Sequence, residues 1–344
     1  MRKKCAFYLV STTTTQMSGS DPVYSLDDLA RWSRPGVSLA VLGFPIKHSI
    51  SPPMQNAALA AMAAAAGSDG AGESGNHFAE WCYHRFEVHP DDLPRALRLL
   101  HEKRFLGVNL TVPHKIIAFP LVTQVDPEAQ PIGAVNTLKW APEGWHGFNT
   151  DGYGLATAVR ETLGRELTGT PVILLGAGGA ARGAAVECIR QKCAGLWIGN
   201  RTHANLDTLL TQLAPLAATA GVTLAGFNPA TLKTTSGKGS ASGIVPASNL
   251  PEGALVINAT SAGLKSGDPL PVDPETLPRP AGIYDMIYNP AETPLLARAR
   301  SLGLPAANGL SMLIHQGARS LEIWSGARVP VAAMRMAAEA ALGR

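Results

Sequence analysis

Residues 171–183, PVILLGAGGAARG, constrain the fold more than any other stretch of the chain. An apolar run, Val172–Leu175, leads into Gly176-x-Gly178-x-x-Ala181 and then into a helical pattern. Glycines at these positions let the backbone turn tightly and approach a pyrophosphate. The helix opening there presents free N–H groups and a partial positive charge to it. A glycine-rich turn without a ligand needs neither the strand before nor the helix after; both are present. The pattern predicts a doubly wound, Rossmann-like sheet, with Gly176, Ala177, Gly178, Gly179, Ala180 and Ala181 against a dinucleotide. About one βαβ unit later the apolar strand LWIG ends at Asn200-Arg201-Thr202. An enzyme using NAD often places Asp or Glu there to hold the ribose 2′-hydroxyl. Arg201 instead offers a guanidinium to a 2′-phosphate and Thr202 a hydroxyl, which points to NADP(H). The other reading of Arg201 is a solvated surface charge.

With 344 residues the chain is too long for one ordinary core, and two domains are expected. Strand and helix patterns alternate throughout, so the fold class is α/β. An N-terminal α/β substrate-binding domain is expected over 38–150, rejoined by C-terminal helices at 309–344. The NADP domain is expected over 151–308, with the active site in the groove between the two. Residues 1–37 read as a loosely ordered extension; their MRKKCAFYLV start imitates a signal peptide, but its apolar run is short and no A-x-A site follows. Segments 67–76 and 228–252, rich in small and polar residues, read as loops. A net charge of +3 is too weak for a nucleic-acid surface. No apolar run is long enough to cross a membrane. Cys5, Cys82, Cys188 and Cys193 are too few for a disulfide scaffold and suit a reduced cytoplasmic protein.

The second informative stretch is NLTVPHK, 109–115. Val108, Leu110 and Val112 alternate with Asn109 and Thr111 as in a strand, and Pro113, with no N–H to donate, ends the ladder. Lys115 then stands at the mouth of a buried strand. Taken singly, such residues have ordinary explanations. Lys115 can be solvated, Asp151 can cap a helix, and so can Ser49 and Ser51. Asn109 and Asn136 can satisfy loop backbone, and Gln316 can be a half-exposed polar residue of an apolar helix. His48, His114 and His315 lack metal-ligand spacing, and no metal is expected.

Taken together, the segments carry more. GFPIKHSISP (43–52), GVNLTVPHK (107–115), GAVNTL (133–138), GFNTDGYG (147–154), GAGGAARG (176–183), NRT (200–202), NATSAG (258–263), YDMIYNPAETPLL (284–296) and NGLSMLIHQG (308–317) occur in one order along the chain. In that order the chain resembles the shikimate dehydrogenase family over about 38–325. The resemblance implies reversible NADP-dependent reduction of 3-dehydroshikimate to shikimate, in the pathway to chorismate and the aromatic amino acids. It implies Lys115 and Asp151 as the catalytic pair, with the formal proton donor left open between them. Ser49, Ser51, Asn109, Thr111, Asn136, Tyr288 and Gln316 match substrate contacts. The Gly176–Ala181 loop, Asn200, Arg201, Thr202, Met286 and Gly309 match cofactor contacts. Leu110 stands where valine is usual, and Gly317 where alanine is common after the glutamine. Two rival readings remain: a quinate/shikimate dehydrogenase using NAD, and a non-catalytic ligand sensor on the same fold. Monomer and homodimer are both compatible with the sequence.

Overall fold

The computed structural model of the protein describes residues 22–68, 77–232, 249–265 and 267–344. The Cys5–Val10 run, most of the 67–76 loop and the centre of the 228–252 segment lie outside the described residues.

Two sheets organise the chain. The first holds β1 (Val23–Tyr24), β2 (Val37–Gly43), β3 (Trp81–Glu87), β4 (Gly107–Leu110), β5 (Gln124–Val125), β6 (Thr137–Ala141) and β7 (Gly144–Phe148). Their order is β1-β3-β2-β4-β6-β7-β5. The pairs β1–β3, β3–β2 and β2–β4 are parallel, whereas β4–β6 and β6–β7 are antiparallel. Buried on both faces, β2 is apolar almost throughout, as a central parallel strand must be. Period-two alternation sends Leu39 and Val41 to one face and Ala40 and Leu42 to the other. The first pair packs against Met54, Ala58 and Met62 of α2 (Ser51–Ser68), the second against Leu93, Leu97 and Leu100 of α3 (Leu93–Glu102).

The second sheet holds β8 (Pro171–Leu175), β9 (Gly195–Gly199), β10 (Thr223–Phe227), β11 (Leu255–Asn258), β12 (Gly282–Asp285) and β13 (Ala306–Asn308). All its strands are parallel, in the order β10-β9-β8-β11-β12-β13. Counted within the sheet this is the 3-2-1-4-5-6 order of a doubly wound dinucleotide fold, whose ligand crevice opens at the carboxyl ends of the first and fourth strands. Here those are β8 and β11. α5 (Asp151–Leu163), α6 (Gly179–Arg190) and α7 (His203–Ala220) share one core with β8, β9 and β11.

The chain returns to the first sheet through α9 (Leu310–Ser325) and α10 (Val331–Ala341). Ile314, Leu321, Trp324 and Met334 from these helices fill the core on the Leu39 and Val41 face. α5 and α9, the two crossing helices, lie against one another. Glu161 of α5 accepts hydrogen bonds from Ser311 of α9 and from Arg335 of α10, the latter at 2.7 and 2.8 Å, and His315 Nε2 lies 3.1 Å from the same carboxylate.

Several expectations change. Residues 22–36 are not a loose extension. β1 pairs with β3 through Val23 and Tyr24, Ser25 and Asp28 form a capping box at α1 (Leu26–Ala30), and Leu29 and Trp32 are buried in the core. The strand predicted through Val112 stops at Leu110: Val112 is 71% exposed, and its cis peptide bond to Pro113 turns the chain into α4 (His114–Ile117). β10, β13 and α8 (Pro294–Ser301) have no counterpart among the predicted elements.

Candidate active site

A cavity of about 380 Å³ lies between the two sheets. Its wall takes Ser49, Ser51, Asn109, Thr111 and Lys115 from the first sheet's loops and strand ends. Asp151, Ala180, Met286, Tyr288 and Gly309 come from α5, α6 and the ends of β12 and β13, and Gln316 from α9. Met312, Leu313, Ile46 and Val41 add apolar surface, and His48 reaches the wall as well.

Lys115 and Asp151 meet here. Lys115 Nζ donates to Asp151 Oδ2 at 2.6 Å, with the side chains 20% and 6% exposed. α4 carries the lysine, and its carbonyl accepts from Val135 N at 2.9 Å, which ties the main chain beneath it to the 133–136 loop. Asp151 is the first residue of α5, and Thr150 is the N-cap. The carboxylate therefore sits at the positive end of the helix, but its oxygens bond elsewhere. Oδ1 accepts from Asn136 Nδ2 at 2.9 Å, and its own N–H donates to Asn149 Oδ1 at 3.1 Å. Helix capping, the ordinary reading of an aspartate at this position, is not what this side chain does.

Asn136, grouped with the substrate contacts on resemblance, is placed one layer behind the wall and is 1% exposed. Its Nδ2 faces Asp151 and Thr150, and its Oδ1 accepts from Thr150 N and Thr137 Oγ1, both at 2.9 Å. Thr137 Oγ1 lies 2.8 Å from Ser320 Oγ, which in turn accepts from Asn109 Nδ2 at 3.0 Å. Asn109 Oδ1 accepts from the buried Tyr83 hydroxyl at 2.8 Å. Burial holds the Tyr83 and Tyr288 phenols above their ordinary range, so both remain neutral hydroxyls. Thr137, Thr150 and Ser320 were not singled out in the sequence. Ser320 had a readable signal: it falls four residues after Gln316, on the same face of an apolar helix.

The residues expected to meet a dinucleotide lie along the crevice beside this cavity. Gly176 has φ +113°, a conformation that favours glycine, and an added Cβ would crowd the Ala259 carbonyl at 3.1 Å. A Cβ on Gly178 would meet nothing within 4 Å, so the loop faces open space at the start of α6, where no side chain caps the helix. Ala177 and Gly179 are half-buried and Ala181 packs into the core. Asn200, Arg201 and Thr202 follow β9; Arg201 and Thr202 are exposed, and Asn200 Nδ2 donates to the Thr202 carbonyl at 2.9 Å. An open backbone-lined loop, an uncapped helix and a free guanidinium at the next strand end fit a dinucleotide with a 2′-phosphate. Among the described residues no cluster of His, Cys, Asp and Glu suits a metal ion.

At the start of α9 the backbone is packed too closely for any side chain. A Cβ on Gly309 would stand 2.0 Å from the Met286 carbonyl oxygen. Gly309→Ala must therefore displace the segment that carries Met286 and Tyr288. It is expected to lower unfolding free energy by about 2 kcal/mol, read by denaturant titration. Parent-like stability would show that the two segments separate freely.

A doubly wound dinucleotide sheet facing a cavity of mixed polar and apolar lining, with a lysine–aspartate pair on its wall, defines a two-domain pyridine-nucleotide-dependent dehydrogenase. Models for the shikimate dehydrogenase substrate binding domain and the shikimate 5′-dehydrogenase C-terminal domain match residues 41–138 and 309–339. The chain belongs to the shikimate dehydrogenase family. It is 37% identical over 302 residues to a shikimate dehydrogenase (NADP(+)) from a Geobacter species, covering 88% of this chain and 94% of that one. The structure of shikimate 5-dehydrogenase from Thermus thermophilus in complex with NADP(H) and shikimate superposes with a TM-score of 0.69 at 32% identity, over 89% and 99% of the two chains. A ligand-free 5-ketofructose reductase from a Gluconobacter species matches with a TM-score of 0.71 at 27% identity, over 90% and 99%.

Proposed function

We propose that the chain catalyses the reversible NADP-dependent reduction of 3-dehydroshikimate to shikimate. The observation that carries this reading is the Lys115–Asp151 pair, 2.6 Å apart on the wall of a cavity that opens onto the dinucleotide crevice.

Gly176–Ala181 would hold the pyrophosphate, Arg201 and Thr202 the 2′-phosphate, and Met286 and Gly309 would border the nicotinamide. NADPH, when bound, supplies the hydride that reduces the C3 carbonyl. The Lys115 ammonium faces the oxygen on which negative charge grows, stabilises it and can deliver a proton. In the reverse direction the amine accepts that proton. Asp151 aims the ammonium and can accept from the ring hydroxyl, while Asn136 fixes the carboxylate from behind. Ser49 and Ser51 present hydroxyls to the substrate carboxylate, and Asn109, Thr111, Tyr288 and Gln316 present polar atoms to the ring. We place the enzyme in the cytoplasm, as a monomer or homodimer. No disulfide joins the described cysteines, and no described helix is long and apolar enough to cross a membrane.

The test is shikimate-dependent reduction of NADP⁺ by the purified protein, with quinate, fructose (the reduced form of 5-ketofructose) and NAD⁺ as comparators. Turnover should be highest with shikimate and NADP⁺; a clear preference for either other substrate removes the assignment. Arg201→Ala is expected to weaken NADPH about 10- to 100-fold, the worth of one charge-assisted hydrogen bond, with far less change for NADH. Equal weakening of both cofactors would take the 2′-phosphate away from Arg201.

A further inference from the structure

Among the described residues β3 contributes nothing to the cavity wall, yet one of its faces holds that wall in three places. Tyr83, Arg85 and Glu87 alternate onto the same face. Tyr83 donates to Asn109, as described. Glu87 Oε2 accepts from Ile46 N at 3.2 Å. Arg85, only 5% exposed, donates from Nη1 to the carbonyls of Lys47 at 2.6 Å and Ser49 at 2.8 Å. A buried guanidinium is costly unless its donors are satisfied. Here two of its bonds go to carbonyls two residues apart in the loop that joins β2 to α2 and carries Ser49 and Ser51. Within that loop the backbone bonds to itself through Ser49 N and the Ile46 carbonyl at 3.0 Å. Ser49 Oγ then accepts from Ser51 N at 3.3 Å, so the two hydroxyl-bearing residues move together.

We propose that Arg85 is a positioning residue that sets the Ser49–Ser51 loop to receive the substrate's carboxylate, a role that rests on the reading of the cavity as a shikimate site. Two physical effects combine. The Arg85 Nη1 group fixes both carbonyls, and hence the planes of the 47–48 and 49–50 peptides that bracket the Ser49 backbone N–H. The same group puts a fixed positive charge behind Ser49, where an anion approaches from the cavity. Arg85 touches no substrate; it acts through the loop.

The experiment compares Arg85→Gln and Arg85→Lys with the parent in steady-state kinetics, with NADP⁺ affinity measured separately on the cofactor alone. Removing two charge-assisted hydrogen bonds should raise the KM for shikimate about 10- to 100-fold in Arg85→Gln. NADP⁺ affinity should stay within about twofold, because the cofactor loop lies on the other sheet. Arg85→Lys keeps the charge but not the planar guanidinium or its reach, and should recover part of the shikimate affinity. The methyl ester of shikimate should discriminate further: its KM should change much less than that of the free acid. A merely structural role would lower Vmax, or both affinities together, and leave the acid-to-ester ratio alone; either result overturns the proposal. Should Arg85→Gln not fold, Arg85→Lys carries the test, and a parent-like KM for shikimate in it is the overturning result. An inactive parent removes the dehydrogenase reading and this proposal with it. An active parent whose variants keep its KM removes the proposal alone.

Discussion

Lys115→Ala is expected to lower turnover by about 10²–10⁴-fold in both directions while changing shikimate affinity little. The size of the effect follows from where the ammonium stands. It is held at 2.6 Å from a carboxylate that is itself bonded to Asn136, so it is oriented before substrate arrives. Charge stabilisation of this preorganised kind is worth most at the moment the oxygen becomes negative, and little in the ground state. Affinity, by contrast, is assigned in the proposed mechanism to the serines, Asn109, Thr111, Tyr288 and Gln316 of the cavity wall, which the substitution leaves in place. Steady-state kinetics in the two directions separate these contributions. Near-normal turnover would mean that another group protonates the oxygen, and the mechanism would have to be abandoned.

Asp151→Asn should cost about 10²–10³-fold in kcat, and the reason is hydrogen-bond direction. The carboxylate accepts twice, from the lysine ammonium and from the Asn136 amide. An asparagine of the same shape accepts with only one atom. Its amide group must face either Asn136 or the ammonium, and both are donors. Whichever way it turns, Lys115 loses its partner or the support behind that partner. Cofactor affinity should be unaltered, since Asp151 lies outside the glycine loop. The decisive measurement is the double variant: if the two residues act as a unit, Lys115→Ala combined with Asp151→Asn loses little more than Lys115→Ala alone. Losses that multiply would show two independent groups.

What the sequence revealed, and what it hid, follows from how each feature is specified. Val172–Leu175 was legible because a strand buried on both faces is apolar in an unbroken run, and the glycines after it are needed by local backbone geometry. Lys115 and Asp151 were legible as a pair only through the order of the motifs around them, since either alone has an ordinary explanation. Edge strands were the least visible. β10 reads TLAGF and β13 is Ala306–Asn308; both lie at the rims of the second sheet and take their identity from a neighbour. β1 is two residues long, although the Ser25–Asp28 capping box just after it was there to be read. Thr137, Thr150 and Arg85 were hidden for a different reason. Spacing tells which face of a strand or helix a side chain occupies, but not which distant loop covers that face.

The way α5 bridges the molecule limits how such an enzyme can change its coenzyme. Leu155, Ala158 and Val159 belong to the core of the second sheet, while the first residue of the same helix belongs to the reaction pair. Recombination that replaced the nucleotide half wholesale would import a foreign carboxylate against the resident lysine, with both surfaces of one helix mismatched. With the proposed role of Arg201, new coenzyme preference is more accessible to point substitution at the exposed tip of β9 than to shuffling of modules: one codon there would alter selectivity and leave the seam untouched.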